Sequence, residues 1–171
     1  VSRVLRHYRR QDISLDLNDL LACFQNAVGS TGTLLFPLFN FGFAQGESFD
    51  IRTTPSAMGV LTEAARSYPG AVRTGHPIYS FAVLGHLAGR FKDIENFSGY
   101  GPDSPFAMLR ELDGKIGVLD LPDNYSMTFY HHVEEMEKVP YRYHKEFSGS
   151  YTGLDGLHVE RTFGLFVRDI D

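Results

Sequence analysis

Apolar positions along this chain fall into blocks with two different periods. Leu17, Leu20, Leu21, Phe24, Ala27 and Val28 recur at three- and four-residue steps, which predicts a helix over 17–28 closed by Gly29 in the C′ position. Thr33 to Phe39 is a short continuous apolar run, as expected of a strand covered on both faces, and Pro37 marks where that strand stops pairing. Residues 40–53 form a long aromatic loop with no clear period. Thr54, Pro55 and Ser56 then predict a helix start, with Thr54 as N-cap and Pro55 at the first helical position. Met58, Leu61 and Ala65 supply its stripe, and Pro69-Gly70 ends it. Ser80 to Leu84 predicts a second buried strand, entered through the turn Gly75-His76-Pro77.

Ser104 and Pro105 predict the N-cap and first position of a further helix, and Gly114 closes it. Lys115 to Leu121 predicts a third buried strand; Pro122-Asp123-Asn124 turns the chain into a helix that Val139-Pro140 stops. The tail changes character. Tyr141 to Phe147 and Val159 to Val167 alternate around a turn signal at Asp155-Gly156, which predicts an antiparallel hairpin. The expected fold class is α/β: a mostly parallel central sheet with flanking helices and an antiparallel C-terminal hairpin. The 171 residues suffice for one domain with its own core, and a single domain over 1–171 is expected.

Composition narrows the partners. Hydrophobic residues make up 43% and charged residues 22%, with a net charge of -5 and basic residues scattered. Such a balance argues against nucleic acid or an anionic membrane as partner. No apolar run approaches the roughly 20 residues of a membrane span, and the start of the chain lacks the apolar core of a signal peptide. Cys23 is the single cysteine, so neither an internal disulfide nor a cysteine-cluster metal site can form. That usage suits a reducing, cytoplasmic setting. Cys23 flanks the stripe of the first predicted helix and is expected as a small, partly buried side chain.

The sharpest chemical signal lies in the helix after the third predicted strand. His131 and Glu134 are three residues apart, as are His132 and Glu135, so each pair can bring an imidazole beside a carboxylate. Either could be a general base with an orienting acid; either could also be a solvated helix face with ordinary ion pairs. Spacing does not rank them. A metal site is disfavoured, because His-x-x-Glu is half of a di-iron motif with no second copy, and His-Glu-x-x-His is absent. His76 faces either a cleft or the backbone. Gly99 to Pro105 offers N–H groups at a helix start, a weak anion-site signal beside Asp103. Walker, Gly-x-Gly-x-x-Gly and Gly-x-Ser-x-Gly sequences are all missing, which disfavours nucleotide hydrolysis, Rossmann NAD binding and serine hydrolysis.

Five segments in order resemble one family, the aminoglycoside 3-N-acetyltransferases with their YokD-like relatives. They are Gly32-Thr-Leu-Leu-Phe-Pro-Leu-Phe; Phe49-Asp-Ile-Arg-Thr-Thr-Pro-Ser-Ala-Met-Gly-Val-Leu-Thr-Glu-Ala-Ala-Arg; Arg73-Thr-Gly-His-Pro-Ile-Tyr-Ser-Phe-Ala-Val-Leu-Gly; Tyr100-Gly-Pro-Asp-Ser-Pro followed by Leu112-Asp-Gly-Lys; and Thr128-x-x-His131-x-x-Glu134. The resemblance implies a YokD-like rather than GNAT fold and acetyl transfer from acetyl-CoA to a primary amine, with no metal. It implies His131 and Glu134 as the catalytic pair, and segments holding Arg73, His76, Ser80 and Ser104 as the cofactor side. It places Asp123 and Tyr130 on the acceptor side. Family members usually begin with a strand carrying a His-Ser-Ser-type segment and continue past the last strand here, so terminal parts of the family domain are expected to be missing. An aminoglycoside acceptor, and with it antibiotic resistance, is the first expectation. A biosynthetic amino sugar suits the aromatic loop 39–49, and an inactive CoA- or sugar-binding relative is the non-enzymatic alternative. The oligomeric state stays open, a homodimer included.

Overall fold

The computed structural model describes residues 2–119, 121 and 126–169. In chain order its elements are α1 (Ser2–Arg9), α2 (Leu17–Val28), β1 (Thr33–Pro37), a short 3-10 turn (Phe43–Gln45), β2 (Phe49–Asp50) and α3 (Val60–Arg66). There follow β3 (Val72–Arg73), β4 (Phe81–Gly85), α4 (Ala88–Phe91), α5 (Pro105–Glu111), α6 (Phe129–Met136), β5 (Arg142–Thr152) and β6 (His158–Arg168). The chain forms two compact units, and each gathers separate stretches of sequence. One takes residues through Asn40 with Pro55–Thr74 and Tyr79–Asp93; the other takes Phe41–Thr54, Gly75–Ile78 and the residues from Ile94 onward.

The first unit is built on α2. Its N-terminal orphan amides are met by Asp16, whose side chain accepts from the N–H groups of Asn18 and Asp19, and Gly29 with φ 76° ends it. The apolar stripe turns inward. Leu21 is fully buried with Leu38, Leu61, Ala65 and Ala82, and Leu17, Leu20 and Phe24 pack on that cluster. Truncating a buried leucine of this kind costs about 2–5 kcal/mol. Three strands in the order β1-β4-β3 carry the cluster, and both pairings are antiparallel. β4 is buried from Phe81 to Leu84, whereas β1 is only partly covered along its length. Cys23 is exposed rather than partly buried, because it lies just off the α2 stripe.

In the second unit, β5 and β6 form an eleven-residue antiparallel ladder from Arg142 opposite Arg168 to Thr152 opposite His158. Its turn is the expected one: Gly156 adopts φ 81° and Leu157 N–H donates to Asp155 Oδ1 at 3.0 Å. β2 adds to β5 in parallel. One end of the ladder is packed by aromatic rings, with Phe49 stacked on Tyr151 at 5.4 Å and Phe43 edge-on to Phe163 at 5.7 Å. Ser104 caps α5 by accepting from Ala107 N–H, with Pro105 in the first turn, and the chain leaves through Asp113 at φ 50° before Gly114.

Three expectations are corrected. The sheets are mixed rather than mostly parallel: among the described residues the ladders of β1, β3 and β4 and of the hairpin are antiparallel, and β2-β5 is the short parallel pair. The helix expected from Pro55 starts at Val60, after Gly59 at φ 126°. Thr54 serves the chain behind it, since its hydroxyl accepts from Asp50 N–H at 2.8 Å. The strand expected over 115–121 has no regular structure from Gly114 to Leu119, and Ile116, Val118, Leu119 and Leu121 are 40–58% exposed. An apolar run becomes a strand only beside another strand, and among the described residues none pairs with it.

Gly85 carries a specific constraint. It sits at φ +112°, and a Cβ there would overlap the Gly32 carbonyl oxygen on the facing chain. Gly85→Ala therefore forces both a disfavoured dihedral and a backbone shift, together roughly 3 kcal/mol. Thermal denaturation should show a fall of roughly 6–12 °C; a midpoint unchanged from wild type would contradict this account.

Candidate functional site

The site is built on α6, eight residues long. Successive helical residues turn by about 100°, so two pairs offset by one residue cannot share a face. The structure separates them accordingly. His132 and Glu135 are 1% and 6% exposed and point inward; the His131 and Glu134 side chains are 34% and 17% exposed.

The inward residues do not bond each other. His132 Nδ1 lies 2.6 Å from the Tyr100 carbonyl oxygen, which can only accept, so Nδ1 carries the proton there. Ser98 Oγ donates to Glu135 Oε2 at 2.7 Å. Both bonds fasten α6 to the 98–104 segment. Ser104 continues that chain of bonds, donating to the Gly101 carbonyl at 2.6 Å while capping α5. Burial pushes the Glu135 carboxyl above its ordinary range, and the Ser98 hydrogen bond offsets this only in part.

The outward residues do bond each other. His131 Nδ1 is 2.7 Å from Glu134 Oε2. Tyr141 OH donates to the other oxygen, Oε1, at 3.1 Å, and Arg142 Nε lies 2.9 Å from Oε2. Arg142 is tethered in turn, since Nη1 donates to the Phe166 carbonyl at 2.9 Å across the hairpin, while Nη2 sits 2.9 Å from His131 Nδ1. The Tyr100 ring packs 5.1 Å from the imidazole. Burial alone would raise Glu134, but hydrogen bonds from His131 and Tyr141 and the Arg142 charge outweigh it and hold the carboxyl below its ordinary range. Glu134 is therefore an anion facing an imidazole nitrogen, the arrangement that fixes a tautomer and steadies an imidazolium. Beside it a groove of about 680 Å³ is lined by Glu135, Met136, Arg142, His144 and Phe166 among others.

Among the other expected site residues, Arg73, Ser80 and His76 are buried. In the first unit Arg73, 7% exposed, donates through Nε and Nη2 to the fully buried Ser80 Oγ, both at 3.2 Å. In the second unit His76 is 1% exposed, and its Nδ1 accepts from Ile78 N–H at 3.3 Å. Its ring packs edge-on to Phe163, and burial lowers its pKa to about 4, so it is a neutral core imidazole. The backbone alternative for His76 is the one realised. Tyr130 is 59% exposed on α6, and Asp123 lies outside the described residues. Among the described residues no group of three His, Cys, Asp or Glu side chains gathers as a metal site. Sequence reasoning missed Tyr141, Arg142, Ser98 and Tyr100. The one available signal for the first two was Val139-Pro140, since a chain stopped there and returning as a strand passes the last turn of α6.

Comparison with known proteins identifies the family. The family model described as aminoglycoside 3-N-acetyltransferase matches residues 11–165, and the chain belongs to that family. Aminoglycoside N(3)-acetyltransferase VII of Streptomyces paromomycinus is 36% identical over 114 residues, 66% of this chain and 38% of the relative. Among solved structures, aminoglycoside acetyltransferase AAC(3)-Xa superposes with a TM-score of 0.78 at 28% identity, covering 93% of this chain and 62% of its own. AAC-IIIb in binary complex with CoASH gives 0.75 at 26% identity, covering 89% and 63%. The chain thus spans well under half the length of the curated relative and under two thirds of those solved chains.

The inward pair yields a test by pH. A carboxyl whose folded pKa is raised binds its proton more tightly when folded. Stability is then greatest below the ordinary glutamate value and falls as pH rises through the folded value. Glu135→Gln keeps an acceptor for Ser98 and removes that titration. In urea titrations across a pH series, the stability difference between wild type and Glu135→Gln should favour wild type most at acid pH and shrink above the ordinary glutamate range. A difference flat with pH would show that burial of Glu135 does not govern its proton.

Proposed function

We propose that this chain takes part in acetyl transfer from acetyl-CoA to a primary amine of an aminoglycoside, at the 3-N position, with His131 as general base and Glu134 as its orienting partner. The observation that carries the proposal is the 2.7 Å contact between His131 Nδ1 and an ionised Glu134 on the accessible face of α6. A sugar amine is largely protonated near neutral pH and must lose a proton to become a nucleophile. With Nδ1–H donated to Glu134, Nε2 carries the lone pair that takes it. The amine nitrogen then attacks the thioester carbonyl. A C–N bond forms and the C–S bond breaks; of the two protons the ammonium nitrogen gives up on becoming an amide, one goes to solvent and the other passes through the His131 imidazolium to the leaving CoA thiolate.

Acetyl-CoA enters this scheme as a substrate. The side chains of Arg73, His76, Ser80 and Ser104 are buried and bonded within the protein, and their place on the cofactor side is proposed from the family resemblance alone. Tyr130, exposed beside His131, is the proposed acceptor contact. A reaction drawing on acetyl-CoA suits the cytoplasm, and that is the proposed location. Among the described residues no helix is long and apolar enough to cross a membrane. A biosynthetic amino sugar is the alternative acceptor: Phe39, Phe43 and Phe49 of the aromatic loop are buried, while Phe41 is 42% exposed.

The test is CoA thiol release from acetyl-CoA against a panel of aminoglycosides and amino sugars, for wild type and His131→Gln. With the acceptor saturating, His131→Gln should lower kcat by about 10²–10⁴-fold. Undiminished turnover in that variant would sink the assignment of the base.

A further inference from the structure

Two groups compete for one nitrogen at this site. Arg142 Nη2 is 2.9 Å from His131 Nδ1, and Glu134 Oε2 is 2.7 Å from the same atom. A guanidinium can only donate and a carboxylate can only accept, whereas Nδ1 holds either a proton or a lone pair. The two contacts are therefore mutually exclusive as hydrogen bonds. The carboxylate contact is the shorter, and two lone pairs facing at that distance would repel, so the proton belongs on Nδ1 and is donated to Glu134. Arg142 keeps other partners in that state. Nη1 remains on the Phe166 carbonyl, and Nε remains 2.9 Å from Glu134 Oε2 as a charge contact whose angle does not make it a hydrogen bond.

We infer that Arg142 is a positioning residue for the His131–Glu134 pair: tethered to Phe166 of β6, it holds the Glu134 carboxylate aimed at Nδ1, and so keeps the His131 proton on Nδ1 and the lone pair on Nε2. The groups facing Glu134 are His131 of α6 itself, the Tyr141 hydroxyl just before β5, and the Arg142 guanidinium at the start of β5. The Arg142 side chain is only 7% exposed. Without it, one carboxylate oxygen keeps Tyr141 alone and the other keeps only the imidazole. The carboxyl can then rotate or take up a proton, and the ring can exchange tautomers. This rests on the reading of His131 and Glu134 as an acid–base pair.

Two readouts test it. The first is the ¹⁵N shift pattern of the His131 ring, assigned by its disappearance in His131→Gln. The second is steady-state kinetics with whichever panel acceptor turns over. Arg142→Met keeps the apolar stem and removes the fork. It should shift the ring from the Nδ1–H pattern toward the Nε2–H or averaged pattern, and lower kcat by roughly tenfold or more with KM little changed. Arg142→Lys, which keeps a charge without the fork, should restore part of both. Arg142→Gln serves as a second variant with the same expected shift, should the methionine variant fail to fold. A folded variant with the wild-type ring pattern and wild-type kcat overturns the inference. A loss confined to KM overturns it too, since that would make Arg142 a substrate contact. If His131→Gln keeps full turnover, the acid–base reading itself fails; if that variant is dead while Arg142→Met is unchanged in both readouts, only the role of Arg142 fails.

Discussion

The buried bonds from His132 to the Tyr100 carbonyl and from Ser98 to Glu135 are what the rest of the site depends on. An eight-residue helix is too short to persist in water on its own propensity. α6 is held because its inward face is fastened to the segment that leads into α5, and that segment is ordered in turn by the Ser104 cap. With one face fixed, the residues one position earlier are presented outward at a set angle. Two histidines adjacent in sequence thus take opposite jobs, one as scaffold and one as candidate base.

The two glutamates diverge for the same reason. Glu134 meets a phenol, a guanidinium and an imidazole, and these hold it ionised despite partial burial. Glu135 meets one hydroxyl in a drier place, and its carboxyl shifts the other way. Residue type, helix and spacing are shared between the two pairs. Environment alone separates a charge that can orient a base from one whose ionisation costs stability.

Local signals in the sequence carried much of this structure. The stripe from Leu17 to Val28, the cap at Ser104 and the Asp155-Gly156 turn each act within a few residues and stand where the pattern placed them, whereas α6 ends at Met136, ahead of the stop expected at Val139-Pro140. Where pairing is long-range the pattern was insufficient. Ile116 to Leu121 reads as a strand but has none beside it among the described residues, and the direction of β1 against β4 has no local signature. Thr54-Pro55 is a sound helix start by chemistry, yet Thr54 is engaged by Asp50 and Gly59 opens the helix instead. Within the site, the i,i+3 spacing showed both His/Glu pairs and could not say which faced inward. Tyr141 and Arg142 joined through tertiary folding, which no spacing rule reaches.

Arg142 is the first residue of β5, and the Phe166 carbonyl that tethers it belongs to the opposite strand, so the geometry of the pair is tied to hairpin register. The turn at Gly156 lies an entire eleven-residue strand away, roughly 35 Å along the ladder. A slip of one residue there would carry every side chain of β5 to the other face. The hairpin therefore acts as a ruler: a tight turn at its far end sets the placement of a guanidinium, and with it the proton of a histidine that the turn never touches.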